Sequence, residues 1–118
     1  MLFVWYPKCG TCRNAKKWLD ENNVTYEIRD ISQNNPTEKE LREWQKKGQL
    51  EVRKMFNTSG RLYREMNLKE KLKTMSEDEM FALLASDGML VKRPVLVTED
   101  TVRIGFKAET YQESCTDC

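Results

Sequence analysis

The sequence predicts an α/β domain built on a four-stranded mixed sheet with helices on its faces. Three observations lead there. Near the N-terminus an apolar run, a helical pattern and an alternating run follow one another within about thirty residues, the signature of a βαβ unit with a right-handed crossover. Near the C-terminus, Val95-Leu96-Val97 and the pair Val102 and Ile104 flank the acidic turn Glu99-Asp100, which reads as a hairpin leading into a last helix. Between these halves lie several segments with helical spacing of apolar residues.

Residues 2–6 (Leu2, Phe3, Val4, Trp5, Tyr6) read as a buried strand. Ala15, Trp18 and Leu19 then recur at helical spacing, predicting a helix over 11–22 closed by Glu21-Asn22-Asn23, with an Asn suited to a left-handed cap. Val24, Tyr26 and Ile28 alternate with Thr25, Glu27 and Arg29, predicting a second strand. Ser32 to Pro36 is a loop, and Thr37 with Glu40 forms a capping box that starts a helix. Leu41 and Trp44 make its apolar face, and Gly48 marks its end. Leu50, Val52, Met55 and Phe56 suggest a short helix, and Asn57-Thr58-Ser59-Gly60 a polar turn. Leu62, Tyr63, Met66 and Leu68 fit helical turns, and the charges from Lys69 to Lys73 read as solvated surface. Ser76 and Glu79 form a second capping box, followed by a helix through Ala85 that Asp87-Gly88 closes. Tyr111 is the expected apolar anchor of the last helix. One domain over residues 1–118, with a helical insertion over about 37–88, is the economical organisation.

Composition narrows the function. Twenty basic and 19 acidic residues leave a net charge of +1, so no electrostatic footprint for nucleic acid or an anionic membrane is present. No apolar run is long enough to cross a bilayer, and the start of the chain lacks the pattern of a signal peptide. The expected compartment is therefore the cytoplasm, where thiols stay reduced and the four cysteines read as catalytic or metal-binding. With no histidine in the chain, imidazole acid–base catalysis and imidazole metal ligation are excluded.

The chemistry concentrates in Tyr6-Pro7-Lys8-Cys9-Gly10-Thr11-Cys12-Arg13. Both cysteines sit where a strand turns into a helix. The first N–H groups of a helix lack internal partners and carry partial positive charge, which favours a thiolate. Lys8 and Arg13 push the same way. Such settings lower a thiol pKa from about 8.5 to between about 3.5 and 7.5. Cys9 is the outer sulfur, placed to attack; Cys12, one turn on, can close a disulfide behind it. Position at a helix start after a buried strand argues for redox chemistry over a zinc half-site or inert core cysteines. Cys115-Thr116-Asp117-Cys118 is a second CxxC. It lies far outside the spacing of about 15–20 residues usual for a zinc ribbon. It reads as an electron shuttle to the first pair or, by preference, as an incidental terminus.

Cys9-Gly10-Thr11-Cys12-Arg13-Asn14 resembles the active turn of the glutaredoxin-dependent arsenate reductases, the ArsC family, and of their relatives the Spx-type redox regulators. Leu90-Val91-Lys92-Arg93-Pro94-Val95 resembles the family's Arg-Pro motif before the third strand. Asn57 to Gly60 with Tyr63, Leu68 to Leu72, and Ser86 to Leu90 are similar to ArsC-like proteins that carry a CxxC. The resemblance runs over about residues 2 to 112 in the same order.

It implies a thioredoxin-like core with a helical insertion between the two halves of the sheet, and a cis-proline, Pro94, facing the CxxC. It also implies that Cys9 is the nucleophile and that Arg93 lies near it, steadies its thiolate and receives an anion. Of three arginines that hold the oxyanion in those reductases, Arg93 matches one; Asn57 and Phe106 stand at the other two positions. Lys8, Gly10, Thr11, Arg13, Asn57 and Pro94 are the expected substrate-binding residues. Cys12 stands where those reductases tend to have serine, which points to a dithiol–disulfide protein. The implied activity is thiol–disulfide oxidoreduction with no bound cofactor, reset by glutathione or by a glutaredoxin or thioredoxin dithiol. The alternatives are an Spx-like regulator that binds RNA polymerase and a cysteine-based metal-binding or structural protein.

Overall fold

The computed structural model describes residues 1–115. Apart from the backbone of Cys115 at the end of the last helix, the Cys115–Cys118 pair lies outside them. In chain order the elements are β1 (Leu2–Trp5), α1 (Gly10–Glu21), β2 (Glu27–Asp30), α2 (Glu38–Gly48), a 3-10 turn (Val52–Met55), α3 (Arg61–Glu65), α4 (Leu68–Lys71), α5 (Glu77–Ser86), a second 3-10 turn (Gly88–Leu90), β3 (Val95–Val97), β4 (Val102–Ile104) and α6 (Ala108–Cys115). They form two compact units: Met1–Asp30 together with the chain from Arg93 on, and Ile31–Lys92.

The first unit holds the sheet, in the order β2-β1-β3-β4. β1 runs parallel to β2, with Phe3 opposite Ile28, and antiparallel to β3, with Phe3 opposite Leu96. β4 returns along β3 as a hairpin, with Leu96 opposite Arg103. The expected four-stranded mixed sheet is therefore present, with the βαβ and ββα halves meeting at β1 and β3.

Phe3, Ala15, Leu19, Leu96 and Tyr111 form a fully buried cluster at its centre. α1 contributes Cys12, Ala15 and Leu19, one stripe at helical spacing. α6 contributes Tyr111, whose ring meets Trp18 edge-on at 5.8 Å and Phe106 at 5.0 Å. Its buried hydroxyl donates to the Gly105 carbonyl at 3.1 Å, so burial leaves no polar group unsatisfied there. Gly105 adopts φ 81°, a conformation that glycine takes without steric cost.

Two details differ from the sequence pattern. β2 starts at Glu27, not at Val24; Val24 and Tyr26 pack on the core ahead of the paired segment. Ile28, expected to be covered, is 46% exposed. It lies beside Phe3 in the register, but β2 is the edge of the sheet and the cover stops at Tyr26, which sits edge-on to Phe3 at 5.6 Å. α1 ends as the asparagines imply, with Asn23 left-handed at φ 55°.

The second unit is helical. Both capping boxes form: Glu40 N–H donates to Thr37 Oγ1 at 3.1 Å and Thr37 N–H to Glu40 Oε1 at 3.0 Å, and Ser76 and Glu79 repeat the exchange at 3.2 and 3.3 Å. α2 buries Leu41 and Trp44, and α5 buries Met80, Phe81 and Leu84. Arg42 ties the two helices together. It reaches Glu38 at 2.8 Å and Asp78 at 2.9 Å, with its guanidinium 4.6 Å from the centre of the Phe81 ring. The left-handed residue after α2 is Gln49 (φ 52°), where Gly48 is the last helical residue. Gly48 thus marks the end of the helix, as the sequence implies.

Gly88 is buried against the start of this unit. A Cβ there would overlap Asn35 Oδ1 and lie 2.8 Å from the Ile31 carbonyl oxygen. Gly88→Ala is expected to destabilise the protein by about 1–3 kcal/mol through overpacking against backbone. A denaturant midpoint equal to that of the wild type would show that the segment carrying Ile31 yields freely.

Candidate active site

β1 delivers the chain to the site, and α1 begins in it. Cys9 is the residue before the first turn of α1, with extended backbone (φ −89°, ψ 122°). Its N–H donates to the Tyr6 carbonyl at 2.9 Å, and its carbonyl accepts from Arg13 N–H at 3.0 Å. These two bonds fix the turn between strand and helix. The Cys9 side chain closes no capping hydrogen bond in the ground state. Yet the N–H groups of Cys12 and Thr11 lie close enough to stabilise a charge on its sulfur.

The two thiols are free and their environments differ. Partial burial works to raise the Cys9 pKa. The Cys12 N–H, the Cys12 thiol, the positive charge of Arg93 and the Thr11 N–H together outweigh that, and the pKa falls below the ordinary thiol value. Cys12 is fully buried. Burial pushes its pKa up to about 12, against the lowering effects of Tyr6 N–H and Arg93. Tyr6 N–H approaches Cys12 Sγ at 3.5 Å. A negative sulfur at Cys9 raises Cys12 further, because like charges in contact oppose each other.

Arg93 comes from the segment before β3. The Arg93–Pro94 peptide is cis, as the resemblance implies, and Pro94 is buried with its carbonyl accepting Gly105 N–H at 2.8 Å. The Arg93 guanidinium lies over the Tyr6 ring, 5.3 Å from its centre. The sheet register makes this meeting possible: Val4 pairs with Val95, so residues just beyond each face one another.

Among the expected site residues, the structure brings Cys9, Cys12, Thr11 and Arg93 into one electrostatic group. Lys8, Gly10 and Arg13 are exposed on the same turn, with Arg13 Nη1 3.4 Å from the Pro7 carbonyl oxygen. The cation that acts on Cys9 across the fold is Arg93; the exposed Lys8 and Arg13 are screened by solvent. Asn57 belongs to the helical unit. There its N–H donates to the Leu90 carbonyl at 2.8 Å and its carbonyl accepts Gly60 N–H at 3.0 Å, closing the polar turn. Phe106 is half-buried against Tyr111 and packs with the core. The Tyr6–Arg93 contact has no signal in the sequence, since nothing local links an aromatic residue before Pro7 to an arginine at the far end of the chain.

No group of three or more metal-ligating side chains occurs among the described residues, and no helix among them is long and apolar enough to cross a membrane.

A mixed sheet of thioredoxin-like topology with a CxxC at the start of its first helix defines the class of protein. Within it the chain belongs to the ArsC family, whose family model matches residues 4–114. Among curated proteins it is 51% identical over 114 residues to the uncharacterised protein YusI of Bacillus subtilis, covering 97% of both chains. It is 27% identical to the global transcriptional regulator Spx 2 of Bacillus anthracis, over 89% of this chain and 79% of that protein. Among solved structures it matches an ArsC family related protein from Bacteroides fragilis at a TM-score of 0.93, with 53% identity over 95% of this chain and 94% of the other. An arsenate reductase from Vibrio cholerae matches at a TM-score of 0.83, with 28% identity over 97% and 98% of the two chains.

The opposed environments give a direct measurement. Alkylation followed across pH by mass spectrometry is expected to show Cys9 reacting with a midpoint below the ordinary value of about 8.5, because a lowered pKa makes thiolate available at lower pH. Cys12 is expected to react slowly throughout. Arg93→Gln removes a favourable charge and is expected to move the Cys9 midpoint upward by roughly half a unit to one unit. Equal, slow labelling of both cysteines in the wild type would contradict the environments described.

Proposed function

We propose that this chain is a thiol–disulfide oxidoreductase in which Cys9 is the nucleophilic thiolate and Cys12 the resolving thiol. One observation carries this reading: two thiols at a helix start have opposed surroundings, Cys9 half-exposed at the helix terminus under the charge of Arg93 and Cys12 fully buried. That division suits sequential attack, in which one sulfur must be charged while the other keeps its proton.

In the first step the Cys9 thiolate attacks one sulfur of a substrate disulfide, such as a glutathione adduct. A Cys9–S bond forms, the substrate S–S bond breaks, and the departing thiolate takes a proton from solvent. In the second step Cys12 loses its proton and attacks Cys9 Sγ. The mixed disulfide breaks, the second substrate thiol leaves, and Cys9–Cys12 is oxidised. Two electrons have passed from the dithiol to the substrate. Glutathione, or a protein dithiol of the glutaredoxin or thioredoxin type, returns them. The buried Cys12 must move toward Cys9 for the second step, and neutralising the negative Cys9 sulfur in the mixed disulfide removes one of the influences that hold its pKa up.

An oxyanion is the other candidate substrate. Arg93, the N–H groups of Gly10 to Cys12, Lys8 and Arg13 would receive it, with Thr11 and Pro94 as further substrate contacts. Phe106 argues against arsenate itself. A guanidinium adds up to two charge-assisted hydrogen bonds, whereas this side chain is spent on packing against Tyr111.

The identity to Spx 2 favours a second reading, a redox-responsive regulator that docks on RNA polymerase in the cytoplasm. Sensor and enzyme need the same thiolate and differ in turnover. With a glutathione mixed disulfide as substrate and glutathione as reductant, the wild type is expected to turn over and Cys9→Ser to be inactive. Cys12→Ser is expected to accumulate the glutathione adduct on Cys9, seen as added mass. Full turnover in Cys9→Ser would end the proposal. A protein that oxidises at Cys9–Cys12 without turning over, and binds purified RNA polymerase in only one redox state, would favour the regulator. Arsenate consumption on the same sample separates the oxyanion substrate from the disulfide.

A further inference from the structure

We infer that Tyr6 is the positioning residue of this site: its ring is the platform that holds the Arg93 guanidinium where its charge reaches Cys9. The inference rests on the proposed use of Cys9 as a thiolate and adds to it the means by which a distant cation is kept in place.

Tyr6 is the residue that joins the parts of the site. Its carbonyl accepts Cys9 N–H at 2.9 Å, its N–H meets Cys12 Sγ at 3.5 Å, and its ring lies 5.3 Å from the centre of the Arg93 guanidinium. The first two contacts use backbone and survive any substitution other than proline. The third uses the side chain alone. A guanidinium at this distance over an aromatic face is attracted to the ring's negative quadrupole, and a flat cation stacks there in a restricted set of poses.

The ring contact acts on a long side chain. Arg93 stands in a half-buried segment immediately before the buried Pro94, so its backbone is held. Its side chain has several rotatable bonds between that backbone and its charge. Each of those bonds that the ring contact fixes narrows the positions the charge can take. Held over Tyr6, it faces the first turn of α1. The charged and titratable groups that bear on Cys9 are then Arg93 and Cys12, with Lys8 and Arg13 exposed on the same turn.

The platform is the ring face, and the phenolic oxygen plays no part in it. Tyr6→Phe is therefore expected to keep the wild-type pH midpoint for Cys9 alkylation, while Tyr6→Leu, apolar but without a quadrupole, raises it. The expected rise is roughly half a pH unit, about a threefold slower alkylation at pH values below the midpoint. A double-mutant cycle isolates the route. In an Arg93→Gln background, Tyr6→Leu should add nothing, because no guanidinium remains to be held.

Alkylation reads the sulfur directly and does not require turnover, so the two ideas fail separately. A wild-type Cys9 that titrates at the ordinary thiol value overturns the proposed function. A lowered wild-type midpoint that Tyr6→Leu leaves in place, or that shifts by the same amount with and without Arg93, overturns the role of Tyr6 alone. Far-ultraviolet circular dichroism and a denaturant midpoint on each variant check that the fold is retained. Should Tyr6→Leu fail to fold, Tyr6→Met is measured in its place, with the same rise in midpoint expected.

Discussion

The constraint on which the site depends is the geometry of one turn, the passage from β1 into α1. The hydrogen bonds from Cys9 N–H to the Tyr6 carbonyl and from Arg13 N–H to the Cys9 carbonyl set the direction of the helix as it leaves the sheet. That direction leaves the first N–H groups of α1 without helical acceptors, beside a sulfur. β1 is a central strand, paired on both sides, with Phe3 and Val4 fully buried. The turn is therefore anchored at its entrance by a central strand of the sheet and at its exit by Cys12, Ala15 and Leu19. A reactive group on a flexible loop would see an averaged field. Here the field is fixed by the backbone, which is the condition for a preorganised electrostatic site.

Much of this could be read from residue order. A capping box is a local exchange of hydrogen bonds three residues apart, so Thr37 with Glu40 and Ser76 with Glu79 place two helix starts without tertiary knowledge. The Cys9 turn was legible for the same reason: strand, turn and helix are contiguous. Alternation gives β2 its phase but not its limits. Alternation shows which face a side chain takes, and Tyr26 and Ile28 do share the face of Phe3. It does not show how far the cover extends over an edge strand, and Ile28 lies past its limit. Gly48 ends α2, as its type suggests, because glycine is common at the close of a helix. Gln49 takes the left-handed conformation after it, with the Gln45 carbonyl accepting from Leu50 N–H at 3.0 Å. The Tyr6–Arg93 contact was illegible in any local sense. It exists because β3 is antiparallel to β1 in one register, and a register is a property of two segments.

Asn57 and Phe106, where the resemblance implies arginine, each have a structural part in their own unit. Asn57 closes a turn in the helical unit, its carbonyl accepting Gly60 N–H at 3.0 Å. Phe106 extends the aromatic contact with Tyr111 and so helps to fasten α6 to the sheet. Both side chains are engaged in local packing or turn closure. The cation that acts on the cysteine, Arg93, is on the strand side of the site, beside Tyr6. One cation is better suited to steadying a thiolate than to gripping a doubly charged ligand, since the first needs a single unit of charge nearby and the second needs several directed donors.

The cysteine pair can then be understood as one titrating system. Two sulfurs one helical turn apart cannot both ionise cheaply, so the fold must choose which carries the charge. Every asymmetry points one way. Cys9 is partly open to solvent, stands at the helix terminus and feels Arg93; Cys12 is fully buried. The burial that keeps Cys12 a thiol is the same packing that seats α1 on Phe3 and Leu96, because Cys12 shares a stripe with Ala15 and Leu19. Stability and charge separation thus have a common origin. A polar replacement at position 12 would disturb both, whereas serine at position 9 would disturb only the charge. The selectivity between two chemically identical thiols is a consequence of where the hydrophobic stripe of α1 begins, one turn after the residue that the turn leaves outside it.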